Sequence, residues 1–387
     1  MTSPHDWRGR RTFGSGRVVD TAEVAQRRGA KRVLIISGGG SFTASGASRM
    51  LDKLTGTSVV ELWSEFQPNA SIDELRAGLA VVREFEPDMV IGVGGGSVMD
   101  MAKLLVAYSD RDDDPTAMIR AGAPVERVSH DLVLVPTTSG SGSESTHFAV
   151  VYIGDEKFSV AGPGLYASHI IIDPDLSMSG SSQQRATSGI DAICQAIESL
   201  WAAGATSESR RLARNALRRL IPNIRPFVTN GDSDSARAMA IGAHLSGRAI
   251  DISKTTGAHA LSYFLTKRLG IPHGNAVALT LGAFIEAHQS SVSVTNSSGS
   301  SLGEAMKSIS VSLGAYDSAS LRRQFNALLP ELGLIASLNA VVAHTEDFVD
   351  EWLESVNQQR LANNPIPFDR SQLRALVKLS WGEPDCG

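Results

Sequence analysis

A chain of 387 residues exceeds one ordinary core and, at about 100 to 200 residues per domain, predicts two domains. Hydrophobic residues at 42% and charged residues at 20% exclude wholesale disorder and fibrous repeats. Lys and Arg number 36 against 41 Asp and Glu, a net charge of -5 without a long basic run, which excludes a general nucleic-acid binder and leaves a small molecule as the expected partner.

The start, MTSPHDWRGRRTF, has no apolar h-region, and no later segment reaches the roughly 18 apolar residues of a membrane span, so a cytoplasmic protein with no membrane partner is expected. Cys194 and Cys386 are the only cysteines, which fits a reducing compartment and no disulfide framework. RVLIIS at 32–37 reads as a buried strand ending at Gly38, Gly39 and Gly40. From 71 to 85, Ile72, Leu75, Leu79, Val82 and Phe85 recur at helical spacing behind Asp73 and Glu74, which complement a helix N-terminus. DMVIGV at 88–93 is the next strand, running through Gly94-Gly95-Gly96-Ser97 into the helical VMDMAKLLVAY. DLVLVP at 131–136 and SHIIID at 168–173 complete an alternation that predicts a parallel sheet with crossover helices. Beyond Pro174 strand-like runs nearly vanish and long amphipathic segments take over, so the boundary is placed near 180: an α/β domain at 1–180 and a helical domain at 181–387. The Ser-rich tract at 290–301 reads as an exposed, mobile loop. Cys194, about 100° from Gln195 around the helix 189–201, is assigned to the core.

The turn Gly94-Gly95-Gly96-Ser97, between a buried strand and a helix, lets backbone N–H groups face an anion, with a plain packing turn as the alternative. Asp100 and Lys103 fall in the first turns of that helix, Lys103 able to offer a cation. A second loop, Pro136 to Glu144, follows another strand and carries five hydroxyls and two glycines, a composition that can wrap phosphates and ribose. In the helical half Asp191 and Gln195 are four apart on one face, and His259 and His273 are separated by a turn at Gly270-Ile271-Pro272. Two oxygens and two nitrogens suit one divalent metal, Fe(II) or Zn(II), although each histidine alone reads as an ordinary polar residue.

GGGSVMDMAK, PTTSGSGSE, GIDAICQAIES, the segment holding His259 and PHGNA around His273 occur in one order, and together they resemble the iron-containing (group III) alcohol dehydrogenase family over about 30–285. The resemblance implies a Rossmann-like α/β dinucleotide-binding domain followed by an all-α metal-binding domain, the dehydroquinate synthase-like architecture, in a homodimer. By position it assigns Gly94, Gly95, Gly96, Ser97, Asp100 and Lys103 to the pyrophosphate motif, and Asn69, Thr137, Thr138, Ser141 and Lys157 to the cofactor lining. Asp191, His259 and His273 match three metal ligands; Gln195 stands where a histidine is usual. Tyr263 replaces a second histidine that relays a proton in many relatives, so Tyr263 or water takes that role.

Within the family, Gln195 in DAICQAIESLW with SKTTGAHALSYFLTKRLGIPHG is similar to the branch that reduces phosphonoacetaldehyde to 2-hydroxyethylphosphonate in phosphonate antibiotic biosynthesis. A dianionic substrate needs a cation; Lys254, five residues before His259, is the first candidate, with an exposed charge as its alternative, and His147 the second. The expected cofactor is NADH or NADPH, because Ser37-Gly38-Gly39 lacks the carboxylate that would repel a 2′-phosphate. Competing expectations are a general primary-alcohol or maleylacetate-type reductase, dehydroquinate synthase-like chemistry, and a metal-poor binding protein in which Gln195 has abolished the site.

Overall fold

The computed structural model describes residues 11–111, 113–294, 299–315 and 318–382; Cys386 lies outside them. Contacts divide the chain into two compact units, Met1–Gly180 with Asp232–Ala240, and Ser181–Gly231 with Ile241–Gly387. Residues 232–240, in the helical half by sequence, join the first unit because Ala240 enters its core and the Arg237 guanidinium lies 5.0 Å from the Phe13 ring centroid.

The first unit holds strands β1 (Arg11–Phe13), β2 (Arg32–Ser37), β3 (Val59–Trp63), β4 (Met89–Gly94), β5 (Asp131–Pro136), β6 (Phe148–Ile153), β7 (Glu156–Ala161) and β8 (His169–Ile172). Six of them form one parallel sheet in the order β1-β8-β5-β4-β2-β3. The central strands are apolar on both faces, as a sheet covered on two sides requires. Side-chain alternation sends Leu34, Ile36, Leu132 and Leu134 into one core and Val33, Ile35, Val133 and Val135 into another. The edge strands escape a search for apolar runs: β1 has three residues, and β3 exposes Val59 and Leu62. The antiparallel hairpin β6–β7, also not anticipated, alternates buried and half-buried residues along β6. The crossover helix Ile72–Phe85 begins in a capping box formed by Ser71 and Glu74.

Because β3 adds on one side of β2 and β4 on the other, the chain reverses direction across the sheet between β2 and β4. Ligands of open α/β sheets bind at the carboxyl ends of strands at such a point, and here those ends carry Ser37-Gly38 and Gly94-Gly95-Gly96.

The second unit is helical. Its long members are Ser182–Trp201, Ser207–Thr229, Gly257–Leu269, His273–Val294, Ser301–Leu313 and Ser318–Glu331, with Ser233–Ser253 entering it from residue 241 onward. The Ser-rich tract is less of a loop than expected: one helix runs on to Val294, Ser300 caps the next by accepting from the Gly303 N–H, and 295–298 lie outside the described residues. Among the described residues no helix is long and apolar enough to cross a membrane.

Candidate cofactor and metal sites

In the first unit, β4 ends at Gly94 and the helix Gly96–Tyr108 starts two residues later, with Gly95 as a cap that accepts no side-chain bond. A Cβ on Gly94 would lie 2.5 Å from Val98 of the following helix, which excludes a side chain there, and one on Gly96 would lie 3.0 Å from Ser141 Oγ, a tight approach of the two loops. The Thr137 N–H donates to the Gly94 carbonyl at 2.9 Å, Gly95 packs against Thr138, and the Asn69 N–H donates to Ser97 Oγ at 3.2 Å. Asn69 holds its left-handed backbone, φ 69°, beside the turn. Thus Asn69, Gly94, Gly95, Gly96, Ser97, Thr137, Thr138 and Ser141 converge. Among the described residues the Ser37 and Ser139 hydroxyls are buried with no hydrogen-bond partner. A helix N-terminus, a side-chain-free turn and spare hydroxyls fit a pyrophosphate and its sugar.

Asp100 and Lys103 are tied into the hydroxyl loop and β6. Lys103 is fully buried, and its Nζ donates to the Ser143 carbonyl at 2.6 Å, Thr146 Oγ1 at 2.9 Å and the Phe148 carbonyl at 2.9 Å. Asp100 accepts from Ser143 Oγ at 2.6 Å and from the Val150 N–H at 3.1 Å. Burial raises the Asp100 carboxyl above its usual range, against the pull of Lys103. The pair therefore fastens the hydroxyl loop through Ser143 and β6 through Phe148 and Val150, and the assignment of both residues to the pyrophosphate motif stands as an expectation. Lys157 lies on β7 with Nζ 6.0 Å from the Tyr152 ring centroid. His147 packs against Phe148 and Tyr166, with its Nδ1 3.5 Å from the Tyr166 hydroxyl.

In the second unit Asp191, Gln195 and Glu198 share a face of the helix Ser182–Trp201. His259 lies in the first turn of Gly257–Leu269, and His273 opens His273–Val294. A Cβ on Gly274 would come within 2.0 Å of the Thr187 carbonyl; only glycine lets the chain bring His273 this close to the first helix. One ligand atom from each of Asp191, His259 and His273 lies within 4.8 Å of the others. Asp191 Oδ1 stands 3.5 Å from His259 Nε2 and 3.9 Å from His273 Nε2. Among the described residues His259 Nε2 is buried with no hydrogen-bond partner, which is how a nitrogen aimed at a metal would be left by the protein. This donor set, one carboxylate and two imidazoles, fits a divalent ion. Gln195 donates from Nε2 to Asp191 Oδ2 at 3.1 Å, while its carbonyl oxygen lies 3.5 Å from Ser246 Oγ. It enters as the partner of the aspartate, with a carbonyl available for coordination if the amide turns.

Glu198, which the sequence did not single out, stands behind the candidate ligand His259. Fully buried, it receives the Thr256 N–H at 3.1 Å, the Thr256 hydroxyl at 2.8 Å and the Ala258 N–H at 3.1 Å, and its other oxygen contacts His259 Nδ1. Such a carboxylate fixes the ring and directs its other nitrogen outward. Burial alone would lower the His259 pKa, but Glu198 and Asp191 raise it: the two carboxylates favour a positive charge here, which a proton on Nε2 or a divalent ion in its place would supply. The one available signal was position, three residues after Gln195 on the same helical face. Tyr263, half-buried, stacks on His273 with centroids 5.9 Å apart, and Lys254 takes a left-handed backbone, φ 60°, just after the helix Ser233–Ser253.

Comparison with known proteins follows the same two-part division. The family model described as iron-containing alcohol dehydrogenase matches residues 9–174, and that of the C-terminal region of Fe-containing alcohol dehydrogenases matches residues 185–381. The chain belongs to the iron-containing alcohol dehydrogenase family. This dehydrogenase is 28% identical over 381 residues, 95% of its length and 94% of the relative's, to long-chain-alcohol dehydrogenase 1 of Geobacillus thermodenitrificans. It is 34% identical over 223 residues to phosphonoacetaldehyde reductase of Streptomyces viridochromogenes, a match covering 55% of this chain and 56% of that one. Among solved structures, sulfoacetaldehyde reductase from Bifidobacterium kashiwanohense in complex with NAD+ superposes with a TM-score of 0.87 at 25% identity, covering 97% of both chains. The dehydrogenase is thus an oxidoreductase of the iron-type alcohol dehydrogenase and aldehyde reductase family, with the fold of its solved members.

Proposed function

We propose that this dehydrogenase reduces a two-carbon aldehyde bearing an anionic head, phosphonoacetaldehyde first among them, to the primary alcohol: aldehyde, NAD(P)H and a proton give alcohol and NAD(P)+. The observation that carries the reading is Lys254. It occupies a left-handed backbone position where glycine carries no penalty and another residue costs about 1 kcal/mol, five residues before His259. Its Nζ donates to the Asp251 carbonyl at 3.3 Å, and it is this reading's candidate for the cation that an anionic head requires. The relatives named for phosphonoacetaldehyde and sulfoacetaldehyde support the same class, since both compounds join an aldehyde to an anion.

In this reading Asp191, His259 and His273, with the Gln195 carbonyl, hold one divalent ion, Fe(II) or Zn(II). Asn69, Gly94, Gly95, Gly96, Ser97, Thr137, Thr138 and Ser141 hold the dinucleotide, with Lys157 beside them. When bound, the metal supplies Lewis-acid polarisation of the carbonyl and the nicotinamide supplies hydride. Glu198 keeps His259 in the tautomer that leaves Nε2 free to bind. Lys254, with His147 as second candidate, binds the anionic head. Tyr263 delivers the proton to the developing alkoxide. Ser37-Gly38-Gly39 admits the 2′-phosphate of NADPH as well as NADH.

The test is NAD(P)H oxidation by metal-analysed protein with phosphonoacetaldehyde and with propanal. The expected result is at least one bound metal per chain and kcat/KM for the phosphonate higher by about a hundredfold, roughly 2.7 kcal/mol. Equal rates on the two aldehydes reject the anionic substrate and favour a general alcohol dehydrogenase, a reading encouraged by the long-chain-alcohol relative that matches along nearly the whole chain. Absence of bound metal and of turnover would leave a binding protein. In the same assay an NADH preference above about a hundredfold overturns the cofactor reading. An unaltered pH profile in Tyr263→Phe removes the tyrosine from the proton step.

A further inference from the structure

Asn363 lies in none of the motifs that mark the family resemblance, yet every polar atom of its side chain is committed in the second unit. Its Nδ2 donates to the Ser253 carbonyl at 2.8 Å and to the Thr255 carbonyl at 3.0 Å, the two peptide groups that flank Lys254. Its Oδ1 accepts from the Gly204 N–H at 3.0 Å, and its backbone carbonyl accepts from the Ala203 N–H at 2.8 Å. An amide with a donor on one end and an acceptor on the other fits this arrangement in one orientation only. Ala203 and Gly204 directly follow the helix Ser182–Trp201, which carries Asp191, Gln195 and Glu198. Gly204 is part of the joint, since a Cβ there would lie 3.2 Å from the Ser253 carbonyl and 3.3 Å from Asn363 Oδ1.

Neighbouring bonds tighten the same place. Ser253 Oγ donates to Ser199 Oγ on the metal-ligand helix at 2.8 Å, and Arg360 Nη1 donates to Thr255 Oγ1 at 2.7 Å. Thr256, next in sequence, bonds to Glu198, which orients His259. The segment 253–256 therefore carries both the proposed substrate cation, Lys254, and the anchor of Glu198, the carboxylate behind the candidate ligand His259, and Asn363 reaches it from more than a hundred residues away.

We propose that Asn363 is a positioning residue: its amide sets the register of the segment 253–256 against the end of the helix Ser182–Trp201, and so holds Lys254 in its left-handed conformation and Glu198 against His259. The part concerning Lys254 rests on the substrate reading above; the part concerning Glu198 does not.

The test uses the metal-loaded enzyme and two readouts, the rate of metal release to a chelator and the ratio of KM for phosphonoacetaldehyde to KM for propanal. Asn363→Ala is expected to release metal about tenfold faster, the lower end of what outer-shell substitutions cost, and to raise the KM ratio severalfold. Asn363→Asp keeps the acceptor for Gly204 but turns an oxygen toward two carbonyls, so it should be at least as damaging. A lowered melting temperature with both readouts unchanged, or an Asn363→Asp variant that behaves as wild type, overturns the proposal. Faster metal release with an unchanged KM ratio upholds the positioning role and overturns the part of the substrate reading that rests on Lys254. If neither variant folds, hydrogen exchange of the wild-type protein decides: the Ala203 and Gly204 amides should exchange more slowly in the metal-loaded than in the chelator-stripped enzyme, and equal rates overturn the inference.

Discussion

The two candidate sites are built from different materials. Around Gly94 to Ser97 the binding surface is main chain: a turn without side chains, a helix N-terminus, and a hydroxyl loop pressed against it. Around Asp191, His259 and His273 it is side chain, gathered from three helices and held by a buried carboxylate that touches both a ligand and the backbone before it. A backbone site requires glycine in sequence order, so it can be read from a linear motif. A side-chain site requires only that distant residues meet, and its support can come from anywhere. Both nevertheless rest on a buried charge, Lys103 with Asp100 in one and Glu198 in the other.

The contrast breaks first at Lys103. Lys103→Met leaves the Asp100 carboxylate buried without its cation and should destabilise the first unit by about 3 to 5 kcal/mol. The melting temperature and NADH affinity should fall together, and Asp100→Asn in the same chain should restore part of both. Loss of NADH affinity with full thermal stability would show Lys103 contacting the cofactor after all. Next comes Glu198→Gln, which takes the negative charge from behind His259. Metal affinity, measured by competition with a chelator, should drop about 10- to 100-fold, while NADH affinity stays as it was; unchanged metal affinity would strip Glu198 of its orienting role.

The smallest effect sharpens the comparison inside the helical unit. His288 is buried against Trp201 and Phe284, and burial pushes its pKa down to about 3. The unfolded chain takes up this proton near pH 6.5, the folded one only near 3, so the stability is full above 6.5 and is lost as pH falls toward 3. At pH 5.5 the loss is about 1.4 kcal/mol. His288→Phe should flatten denaturation midpoints between pH 7 and 5, and an equally steep acid loss in the variant would contradict the assignment.

Much of the fold was legible because central parallel strands are covered on both faces and must be continuous apolar runs, as 32–37, 88–93 and 131–136 are. The edge strand Val59–Trp63 was not, since an edge exposes Val59 and Leu62 and shows no such run. At the candidate metal site Asp191, His259 and His273, which the structure brings together, could be singled out because their types are chemically uncommon together. Glu198, Asn363 and the inward turn of Lys103 could not, because a glutamate, an asparagine or a lysine looks the same in sequence whether it is solvated or buried in a network.

The sequence by itself determined the alternation of strands and helices, the glycine turn, the spacing of Asp191 with Gln195, and membership of the family. The first three are properties of local backbone preference and periodicity, which neighbouring residues settle among themselves; membership came from the resemblance of several motifs occurring in one order. Only the tertiary structure decided that Asp100 and Lys103 fasten the hydroxyl loop, that Glu198 stands behind His259, and that Asn363 closes on the residues flanking Lys254. Each of these is a bond across 40 or more residues, and what a polar side chain does is set by which partner remains once water has been excluded.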